Sequence, residues 1–375
     1  MRVIIAAGGT GGHLYPGVAI AREFERQLGT SEITFVGTRR GLETKVIPRE
    51  GYELVTMRAR GIMGKGPIGG IVGLAVTPLG LAQCLALCRA RRPELVIGIG
   101  GYTSPPLIAA ATLLGIKRVL LEPNAYPGMA NRLLSPLAHL VFVSFAEALP
   151  FFDARKTRVV GTPIRRAFLD LIPSVDPTPA DGSLSGAGGP LLLILGGSQG
   201  ARSINRAMTG AFPILAQSHA GLRIIHQTGE RDFEEVVTAY RVALQTLDPS
   251  VGEPEVAAFL FDVPRALKQA DLIIGRSGAT TVAEITACGK PAILIPFPHA
   301  IHGHQERNAR VLEQAGAAQV MLDHSLSGNV LAQAVSALIN DPQRLAEMGR
   351  HSRSLGRPEA AEQVVCACRE LVDRG

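Results

Sequence analysis

The apolar residues of this chain form short strand-like runs that alternate with longer segments of helical periodicity. Short runs separated by helical segments are typical of parallel α/β units. The pattern therefore predicts an α/β protein with two doubly wound, Rossmann-like parallel sheets, one in each half of the chain. The predicted strands are 3–7, 33–36, 95–99, 118–121 and 140–143 in the first half, and 191–195, 222–226, 272–274 and 292–295 in the second.

The length of 375 residues favours two domains, each large enough to bury its own core. Residues 172–190 are rich in Pro, Asp, Ser and Gly, which is typical of a linker or an extended loop. We place the boundary near Gly161-Thr162-Pro163, with a helix at 164–171 that begins the crossing. This predicts a first domain of residues 1–162 and a second of residues 163–375.

Composition and charge narrow the class of protein. The chain is 46% apolar and 19% charged, as soluble globular proteins are. Its net charge of +6 favours a phosphate-bearing substrate or an anionic membrane surface as a partner. Nucleic acid is not an expected partner, because the chain has no arginine-rich arm, zinc-finger spacing or aromatic RNA-binding box.

The cysteines and the amino terminus indicate a cytosolic protein. The five cysteines are odd in number and lack C-x-x-C spacing, which predicts reduced thiols rather than disulfides. Met1-Arg2 leads straight into the first strand, with no secretory apolar region before it. His226, His299 and His302 have no third ligand at a useful spacing, so we expect no metal site, and we expect no cofactor.

One stretch, residues 68–88, contains no charged residue and would nearly cross a bilayer as a helix that rises about 1.5 Å per residue. Several glycines and Pro78 weaken it as a spanning helix. Basic residues flank it on both sides, namely Arg58, Arg60, Lys65, Arg89, Arg91 and Arg92. The residues leave open two interpretations, a buried core helix and a patch that rests on an anionic membrane surface.

Two glycine-rich turns each follow an apolar run and precede a helical segment. The first elbow is Gly8-Gly9-Thr10-Gly11-Gly12-His13, and the second elbow is Gly196-Gly197-Ser198-Gln199-Gly200-Ala201. Glycine admits positive φ and leaves no Cβ between the backbone amides and a bound group, and amides at a helix start attract anions. Either elbow alone fits a tight turn as well as a ligand site, but two at matching places favour ligand sites.

A dinucleotide-dependent oxidoreductase would carry a third glycine in its fingerprint. Leu14 stands at that place after the first elbow, and Thr103 stands there after Gly98-Ile99-Gly100. The second strand also leads to Thr38-Arg39 rather than to an acidic residue. The dehydrogenase hypothesis therefore remains only an analogy of fold.

Five motifs occur in order along most of the chain. They are the two elbows, Gly100-Gly101-Tyr102, Arg276-Ser277-Gly278-Ala279 with Glu284, and His304-Gln305 with Asn308. Together they resemble the MurG family, the peptidoglycan N-acetylglucosaminyltransferases that act on undecaprenyl-linked N-acetylmuramoyl-pentapeptide. The resemblance implies a GT-B glycosyltransferase with two Rossmann-like domains around a cleft, and it suggests that the last helix returns to the first domain.

The resemblance implies that the second domain binds UDP-N-acetylglucosamine. Ser198, Gln199 and the amides of the second elbow would hold the diphosphate, and Glu284 would accept hydrogen bonds from the ribose hydroxyls. The chain contains no D-x-D pair, which agrees with metal-independent binding. The other implied donor contacts are Thr10, Gly11, Gly12, Asn124, Arg165, Leu260, Ala279, Thr280, Thr281, His304 and Gln305.

The resemblance also implies that the first domain binds the lipid pyrophosphate acceptor. The implied acceptor contacts are Gly8, Gly9, Gly100, Gly101 and Tyr102. The apolar stretch 68–88 lies in the same domain, which favours the interpretation as a membrane-surface patch. The expected location is the cytoplasmic face of the bacterial inner membrane, as a peripheral protein.

By the same resemblance, the C4 hydroxyl of the acceptor, lipid I, attacks the anomeric carbon of the donor with inversion, giving the β-1,4-linked product lipid II and UDP. Such an attack needs a base within hydrogen-bond reach. His13 is the first candidate, because imidazole exchanges protons near neutral pH, and Glu122 is the rival. A His13 that only orients the acceptor or the diphosphate is an equally open interpretation.

Other functions remain open from the sequence. They are a UDP-sugar epimerase of the same fold, a transferase that glycosylates another lipid, and a non-catalytic membrane-peripheral protein that binds a nucleotide sugar. An epimerase needs no lipid acceptor, which would leave the apolar stretch 68–88 unexplained.

Overall fold

Buried apolar strands form the centre of two parallel sheets in the computed structural model, which describes residues 1–8, 11–39, 41–57, 78–170, 189–197 and 200–374. All nine strands predicted from the apolar runs are present. The first sheet contains β1 (Arg2–Ala6), β2 (Glu32–Thr38), β3 (Glu53–Met57), β4 (Leu95–Gly98), β5 (Lys117–Glu122), β6 (Leu140–Val143) and β7 (Thr157–Val159). The second contains β8 (Leu191–Leu195), β9 (Arg223–Gln227), β10 (Glu255–Ala257), β11 (Leu272–Gly275), β12 (Ala292–Leu294) and β13 (Ala318–Val320).

Both sheets have the strand order of a doubly wound α/β fold. The first runs β3-β2-β1-β4-β5-β6-β7 and the second β10-β9-β8-β11-β12-β13, with every described pair parallel. The order reverses beside β1 in the first sheet and beside β8 in the second. Sheets of this kind bind ligands at the carboxyl ends of the strands at that point. The predicted fold class is confirmed.

The helices connect successive parallel strands, as the crossover rule requires. In the first half of the chain they are α1 (Gly11–Leu28), α2 (Glu43–Arg49), α3 (Pro78–Arg91), α4 (Ser104–Leu113), α5 (Met129–Leu134) and α6 (Arg166–Leu169). In the second half they are α7 (Arg202–Ser218), α8 (Phe233–Leu244), α9 (Val263–Gln269), α10 (Ala279–Ala287), α11 (His304–Gln314), α12 (Gly328–Ile339), α13 (Pro342–Leu355) and α14 (Ala360–Asp373).

Alternate residues of β1 enter two cores on opposite faces of the first sheet. Val3 and Ile5 pack in a cluster that includes Phe24 of α1. Ile4 and Ala6 pack in a second cluster that includes Cys84 of α3. Because successive side chains of a strand point to opposite faces, a strand that is covered on both sides is apolar on both, as residues 3–6 of β1 are.

The core of the second sheet is built largely by α7 and α12. Ile204, Met208 and Phe212 of α7 recur at helical spacing and are buried against Ile194 of β8. Leu331 of α12 is buried in the same cluster. The amphipathic pattern of α7 therefore directs one face of the helix into the core.

The chain divides into two compact units, Met1–Arg166 with Arg357–Gly375, and Ala167–Gly356. The first unit extends past the boundary predicted at residue 162, and it includes the last helix, α14, whose return to the first domain the resemblance suggested. It does so because Val364 and Cys368 of α14 are buried in the core that contains α1 and β1. Most of the predicted linker, residues 171–188, lies outside the described residues.

The described part of the apolar stretch forms the beginning of α3, while residues 68–77 lie outside the described residues. Gly80, Cys84 and Cys88 recur every four residues and are buried. Burial raises the pKa of the Cys84 thiol to about 12 and that of Cys88 to about 11, so both stay protonated at neutral pH. None of the described helices combines the length and the apolar character needed to cross a membrane.

The packing of α14 predicts a cost for trimming its buried face. Val364 is fully buried, so Val364→Ala removes two methyl groups and is expected to lower the free energy of unfolding of the first unit by about 2 kcal/mol. Glu362→Gln on the exposed side of the same helix should change it by less than about 0.5 kcal/mol. Urea unfolding measures both, and equal effects would contradict the placement of α14 in this core.

Candidate active site

The first elbow and the Gly100-Gly101 pair meet at the carboxyl ends of β1 and β4, where the strand order of the first sheet reverses. Gly100 and Gly101 have φ values of +102° and +70°. A Cβ on Gly101 would lie 2.8 Å from the carbonyl oxygen of Gly8. The N–H of Gly8 donates to Oγ1 of the buried Thr103 at 3.3 Å. Only glycine fits this backbone contact without strain.

His13 lies in the first turn of α1, against the Gly100-Gly101 pair. A Cβ on Gly100 would lie 3.3 Å from His13 Nε2 and 3.5 Å from the amide nitrogen of Asn131. The structure therefore brings Gly8, Gly11, Gly12, His13, Gly100 and Gly101 together, and Tyr102 beside them is 39% exposed. Gly9 and Thr10 lie outside the described residues.

A buried carboxylate lies under the first elbow. Glu43 of α2 is 1% exposed and accepts hydrogen bonds from the backbone N–H of Thr38 at 2.7 Å and from its hydroxyl at 2.8 Å. A Cβ on Gly8 would lie 3.2 Å from Glu43 Oε1. Glu43 therefore ties the end of β2 to the elbow.

Glu122 ends β5 in a set of four hydrogen bonds. One carboxylate oxygen accepts from the backbone and side-chain nitrogens of Asn124 at 3.0 and 3.1 Å, and the other from Gly128 N and Asn131 Nδ2, both at 2.9 Å. Burial raises the pKa of this carboxyl group, against the hydrogen bonds, which lower it. Both oxygens hold the loop that carries Asn124, which suits a structural role better than proton transfer.

Arg165 lies close to the first elbow within the first unit. Its guanidinium carbon is 4.8 Å from the centre of the Tyr15 ring, a cation–π distance. The Tyr15 ring in turn would contact a Cβ on Gly11 at 3.4 Å. Arg165 therefore lies beside Tyr15, and Tyr15 lies beside Gly11 of the first elbow.

The second elbow packs against the last residue of β9 and the residue that follows it. Gly196 N donates to the carbonyl of Gln227 at 3.2 Å, and a Cβ on Gly200 would collide with the carbonyl oxygen of Thr228. Gly197 and Gly200 have φ values of +77° and +75°. The predicted contacts Ser198 and Gln199 lie outside the described residues.

The start of α10 carries the next group of predicted donor contacts. Ala279, Thr280 and Thr281 form its first turn, after Gly278, and Glu284 follows one turn later, 7% exposed. Backbone N–H groups in a first turn point out of the helix and suit an anion or an acceptor.

Leu260 lies after β10 between two exposed aromatic residues. Phe259 and Phe261 are 42% and 80% exposed, and their ring centres are 5.1 Å apart in an edge-to-face arrangement. Large exposed aromatic side chains at a strand end are consistent with a surface that packs on a ligand.

His304 and Gln305 begin α11. His304 Nδ1 lies 2.8 Å from the carbonyl oxygen of Ile301, so Nδ1 carries the proton and donates. Gln305 accepts a hydrogen bond from Phe297 N at 2.9 Å through Oε1, which fixes the turn before α11. The two predicted sugar contacts are thus held by this turn in the structure.

Arg276, the first residue of the motif Arg276-Ser277-Gly278-Ala279, joins distant parts of the second unit. It donates to the carbonyls of Ile295 and Pro296 at 3.0 and 3.1 Å, to Asp323 at 2.5 Å and to Ser203 Oγ at 2.9 Å. Its partners come from distant parts of the chain, so their identity had no local signal.

Two of the three histidines considered for a metal site have other partners. His226 is fully buried and hydrogen-bonds to Tyr240 and Asn205, while His299 packs against Phe297. Within the part of the chain that the structure describes, no group of three or more His, Cys, Asp or Glu side chains is placed to hold a metal ion.

Comparisons with known proteins agree with this arrangement. The models of the glycosyltransferase family 28 N-terminal and C-terminal domains match residues 3–143 and 191–364. With two Rossmann-like units that each carry a glycine elbow, these matches define a glycosyltransferase of the GT-B fold. A UDP-N-acetylglucosamine–N-acetylmuramyl-(pentapeptide) pyrophosphoryl-undecaprenol N-acetylglucosamine transferase from Geobacter sulfurreducens is 44% identical over 365 residues, 97% of each chain. The chain belongs to this family, the MurG family.

Two solved structures are similar to this chain, and one of them shares only its fold. The structure of MurG from Acinetobacter baumannii matches with a TM-score of 0.78 at 29% identity, and the match covers 100% of this chain and 99% of the MurG chain. A putative UDP-N-acetylglucosamine 2-epimerase from Listeria monocytogenes has a TM-score of 0.70 at 14% identity, covering 100% and 97%. The second likeness is one of fold alone.

The contact between Gly101 and Gly8 predicts a site-specific cost for a methyl group. Gly101→Ala meets both a positive φ and the Gly8 carbonyl, whereas Gly115→Ala meets a φ of +69° with open space around it. Gly115→Ala is expected to cost about 1 kcal/mol of unfolding free energy, and Gly101→Ala at least twice that. Urea unfolding of the two variants checks this, and equal costs would contradict the close contact.

The burial of His226 predicts a pH dependence of stability. Burial lowers the pKa of His226 to about 3, below the ordinary value of about 6.5 expected in the unfolded chain. The unfolded chain therefore binds an extra proton below about pH 6.5, and stability falls by up to about 1.4 kcal/mol per pH unit as the pH drops. His226→Gln should lack this contribution. Parallel stability curves of the variant and the unchanged protein between about pH 6.5 and 4.5 would contradict the prediction.

Proposed function

We propose that the chain transfers N-acetylglucosamine from UDP-N-acetylglucosamine to undecaprenyl-pyrophosphoryl-N-acetylmuramoyl-pentapeptide, the conversion of lipid I to lipid II, with release of UDP. The observation that carries this proposal is the 44% identity, over 97% of both chains, to a protein named for that transfer. The glycine elbows supply the local chemistry, because both substrates carry a diphosphate that oriented backbone amides can bind. The likeness to an epimerase extends to the fold only.

The donor is assigned to the second unit. The second elbow would bind the UDP diphosphate through its amides, with Ser198 and Gln199, and α10 would present Glu284 to the ribose. The aromatic pair around Leu260 supports a place for the uracil, since planar bases pack on exposed apolar side chains. Arg165 and Asn124, which the resemblance gives as donor contacts, stay predictions.

The acceptor is assigned to the first unit. The diphosphate of the lipid would lie at the first elbow and at Gly100-Gly101, where glycine leaves no Cβ between the backbone and a bound group. The N–H groups of Gly8 and Gly100 donate to the hydroxyls of Thr103 and Ser104 and so hold the shape of this site. Tyr102 would contact the acceptor beside them.

We propose His13 as the base that takes the proton of the C4 hydroxyl as it attacks the anomeric carbon with inversion. Its Nε2 is next to Gly100, where the first elbow meets the Gly100-Gly101 pair. Glu122 is the weaker candidate, because it is 1% exposed and its two oxygens already accept four hydrogen bonds. Its role in the proposal is to hold the loop that carries Asn124.

The first unit would also rest on the cytoplasmic face of an anionic membrane. Leu79, Ala82 and Ala86 of α3 are exposed at the spacing of one helix face, and Arg89 follows on the same face. An apolar face that ends in a cation suits an interfacial helix. The lipid chain of the acceptor would keep such a protein at the membrane.

Kinetics of a His13 variant test the proposed base. We expect acceptor-dependent UDP release by the purified chain, and a loss of about 10²- to 10⁴-fold in kcat for His13→Ala, the range for loss of a general base. The Michaelis constant for UDP-N-acetylglucosamine should change little. His324→Ala, at an exposed position of the second unit, is the matched control. A loss below about tenfold with a raised acceptor KM would contradict the base and show an orienting role.

Vesicle binding tests the membrane face. Arg89→Ala is expected to weaken sedimentation with vesicles of anionic phospholipid about fivefold at low salt, since one basic residue near such a surface is worth about 1 kcal/mol. Arg241→Ala, an exposed arginine on α8 of the second unit, should leave binding unchanged. An equal effect of the two changes would contradict a specific role for α3.

A further inference from the structure

A chain of hydrogen bonds crosses the core of the second unit behind the second elbow. The hydroxyl of Tyr240 lies 2.8 Å from His226 Nδ1, and His226 Nε2 lies 3.1 Å from Asn205 Oδ1. Asn205 Nδ2 donates to the carbonyl of Thr228 and to the carboxylate of Asp232, each at 3.0 Å. His226, Asn205 and Tyr240 are each at most 2% exposed. The chain therefore joins α8, β9 and α7 to the loop after β9.

The direction of each hydrogen bond follows from its partners. The carbonyl of Thr228 and the carboxylate of Asp232 accept hydrogen bonds, so the side of Asn205 that faces them must be its NH₂ group. Asn205 Oδ1 then faces His226, and Nε2 of the imidazole must donate to it. His226 Nδ1 is left as the acceptor for the hydroxyl of Tyr240. The imidazole is thus neutral, with its proton on Nε2.

This chain ends at the contact that shapes the second elbow. The Thr228 carbonyl that Asn205 holds is the group against which Gly200 packs, and Gly200 has no room for a Cβ there. Gly196 N donates to the carbonyl of Gln227, one residue before. Thr228 N is fixed from the other side by the carbonyl of Ala257 at 3.0 Å. Residues 227–228 therefore lie directly against the second elbow, and Asn205 fixes the position of the Thr228 carbonyl there.

We propose that His226 and Asn205 are positioning residues for donor binding, which hold the Thr228 carbonyl and, through its contact with Gly200, fix the place of the second elbow relative to the donor diphosphate. Neither side chain is exposed to touch a ligand, so both act through the backbone of the elbow. The inference rests on the proposed function, because that function supplies a donor with a diphosphate at this elbow.

Three variants test the inference by kinetics and by binding of UDP in titration calorimetry. His226→Leu removes the donor to Asn205 and is expected to raise the donor KM and the UDP Kd about tenfold, the effect of about one hydrogen bond. The kcat at saturating donor and the acceptor KM should stay unchanged. His226→Gln, whose amide can donate to Asn205 in place of Nε2, should restore most of the affinity.

Tyr240→Phe is the matched control for a general loosening of the core. It loses a buried hydrogen bond at the far end of the chain but keeps the bond between His226 and Asn205, so stability should fall while the donor KM stays unchanged. An unchanged UDP Kd in His226→Leu, or an equal rise in Tyr240→Phe, would overturn the inference. Should His226→Leu fail to fold, Asn205→Ala, which removes the contact with the Thr228 carbonyl, takes its place. A UDP Kd that rises about tenfold in Asn205→Ala but stays within about threefold of the unchanged protein in His226→Gln supports the inference, and an equal UDP Kd in Asn205→Ala and Tyr240→Phe overturns it.

Nitrogen NMR of the histidine-labelled protein gives a readout that is independent of activity. The signal that disappears in His226→Gln is expected to show an Nε2–H tautomer that does not titrate between about pH 6 and about pH 8. An Nδ1–H tautomer would overturn the inference. Failure of the proposed function looks different: UDP would bind and respond to the variants as expected, yet no acceptor would promote its release.

Discussion

Close contact between backbone segments at glycine is the constraint on which both candidate substrate sites depend. In the first unit Gly101 packs on the carbonyl of Gly8, and in the second Gly200 packs on the carbonyl of Thr228. Each contact lies where a strand of a parallel sheet turns into a helix. With no Cβ between them, the two segments come close enough for amides at the helix starts to face a common ligand position. A methyl group at either place would separate the segments.

Buried polar side chains fix the loops around these contacts. Glu43 holds the end of β2 under the first elbow, Glu122 holds the loop that carries Asn124, and Asn205 holds the loop under the second elbow. In each case donors and acceptors are matched, as burial of a polar group requires. The same groups that would be costly to bury alone therefore give the sites a defined shape. In the proposed function, the elbow backbone between these side chains binds the diphosphates.

The central strands could be predicted from the sequence, but the edge strands could not. The four strands absent from the prediction, β3, β7, β10 and β13, are the four edges of the two sheets. Central strands are covered on both faces and read as continuous apolar runs, whereas edge strands are short and partly exposed, as the polar ends of β3 and β10 show. The elbows were likewise visible, because their glycines are contiguous in sequence.

The side chains that support the elbows had no comparable signal. No acidic residue ends β2, yet the carboxylate of Glu43 reaches the end of that strand from α2, across a short loop. Arg276 binds Ser203 and Asp323, which are far away in sequence. Asn205 alone left a trace, as a polar residue on the apolar face of α7. Long-range partners of this kind follow from the topology, so they become visible only with the fold.

The fate of the sugar tests the proposed transfer most directly. The purified chain is incubated with UDP-N-acetylglucosamine labelled in the sugar and with undecaprenyl-pyrophosphoryl-N-acetylmuramoyl-pentapeptide, and the lipid and aqueous products are separated. We expect one labelled sugar per acceptor in the lipid product, in β linkage, with an equal amount of UDP released. Label that remains in the aqueous phase, as free sugar or as an epimer of the donor, with the lipid unchanged, would contradict it.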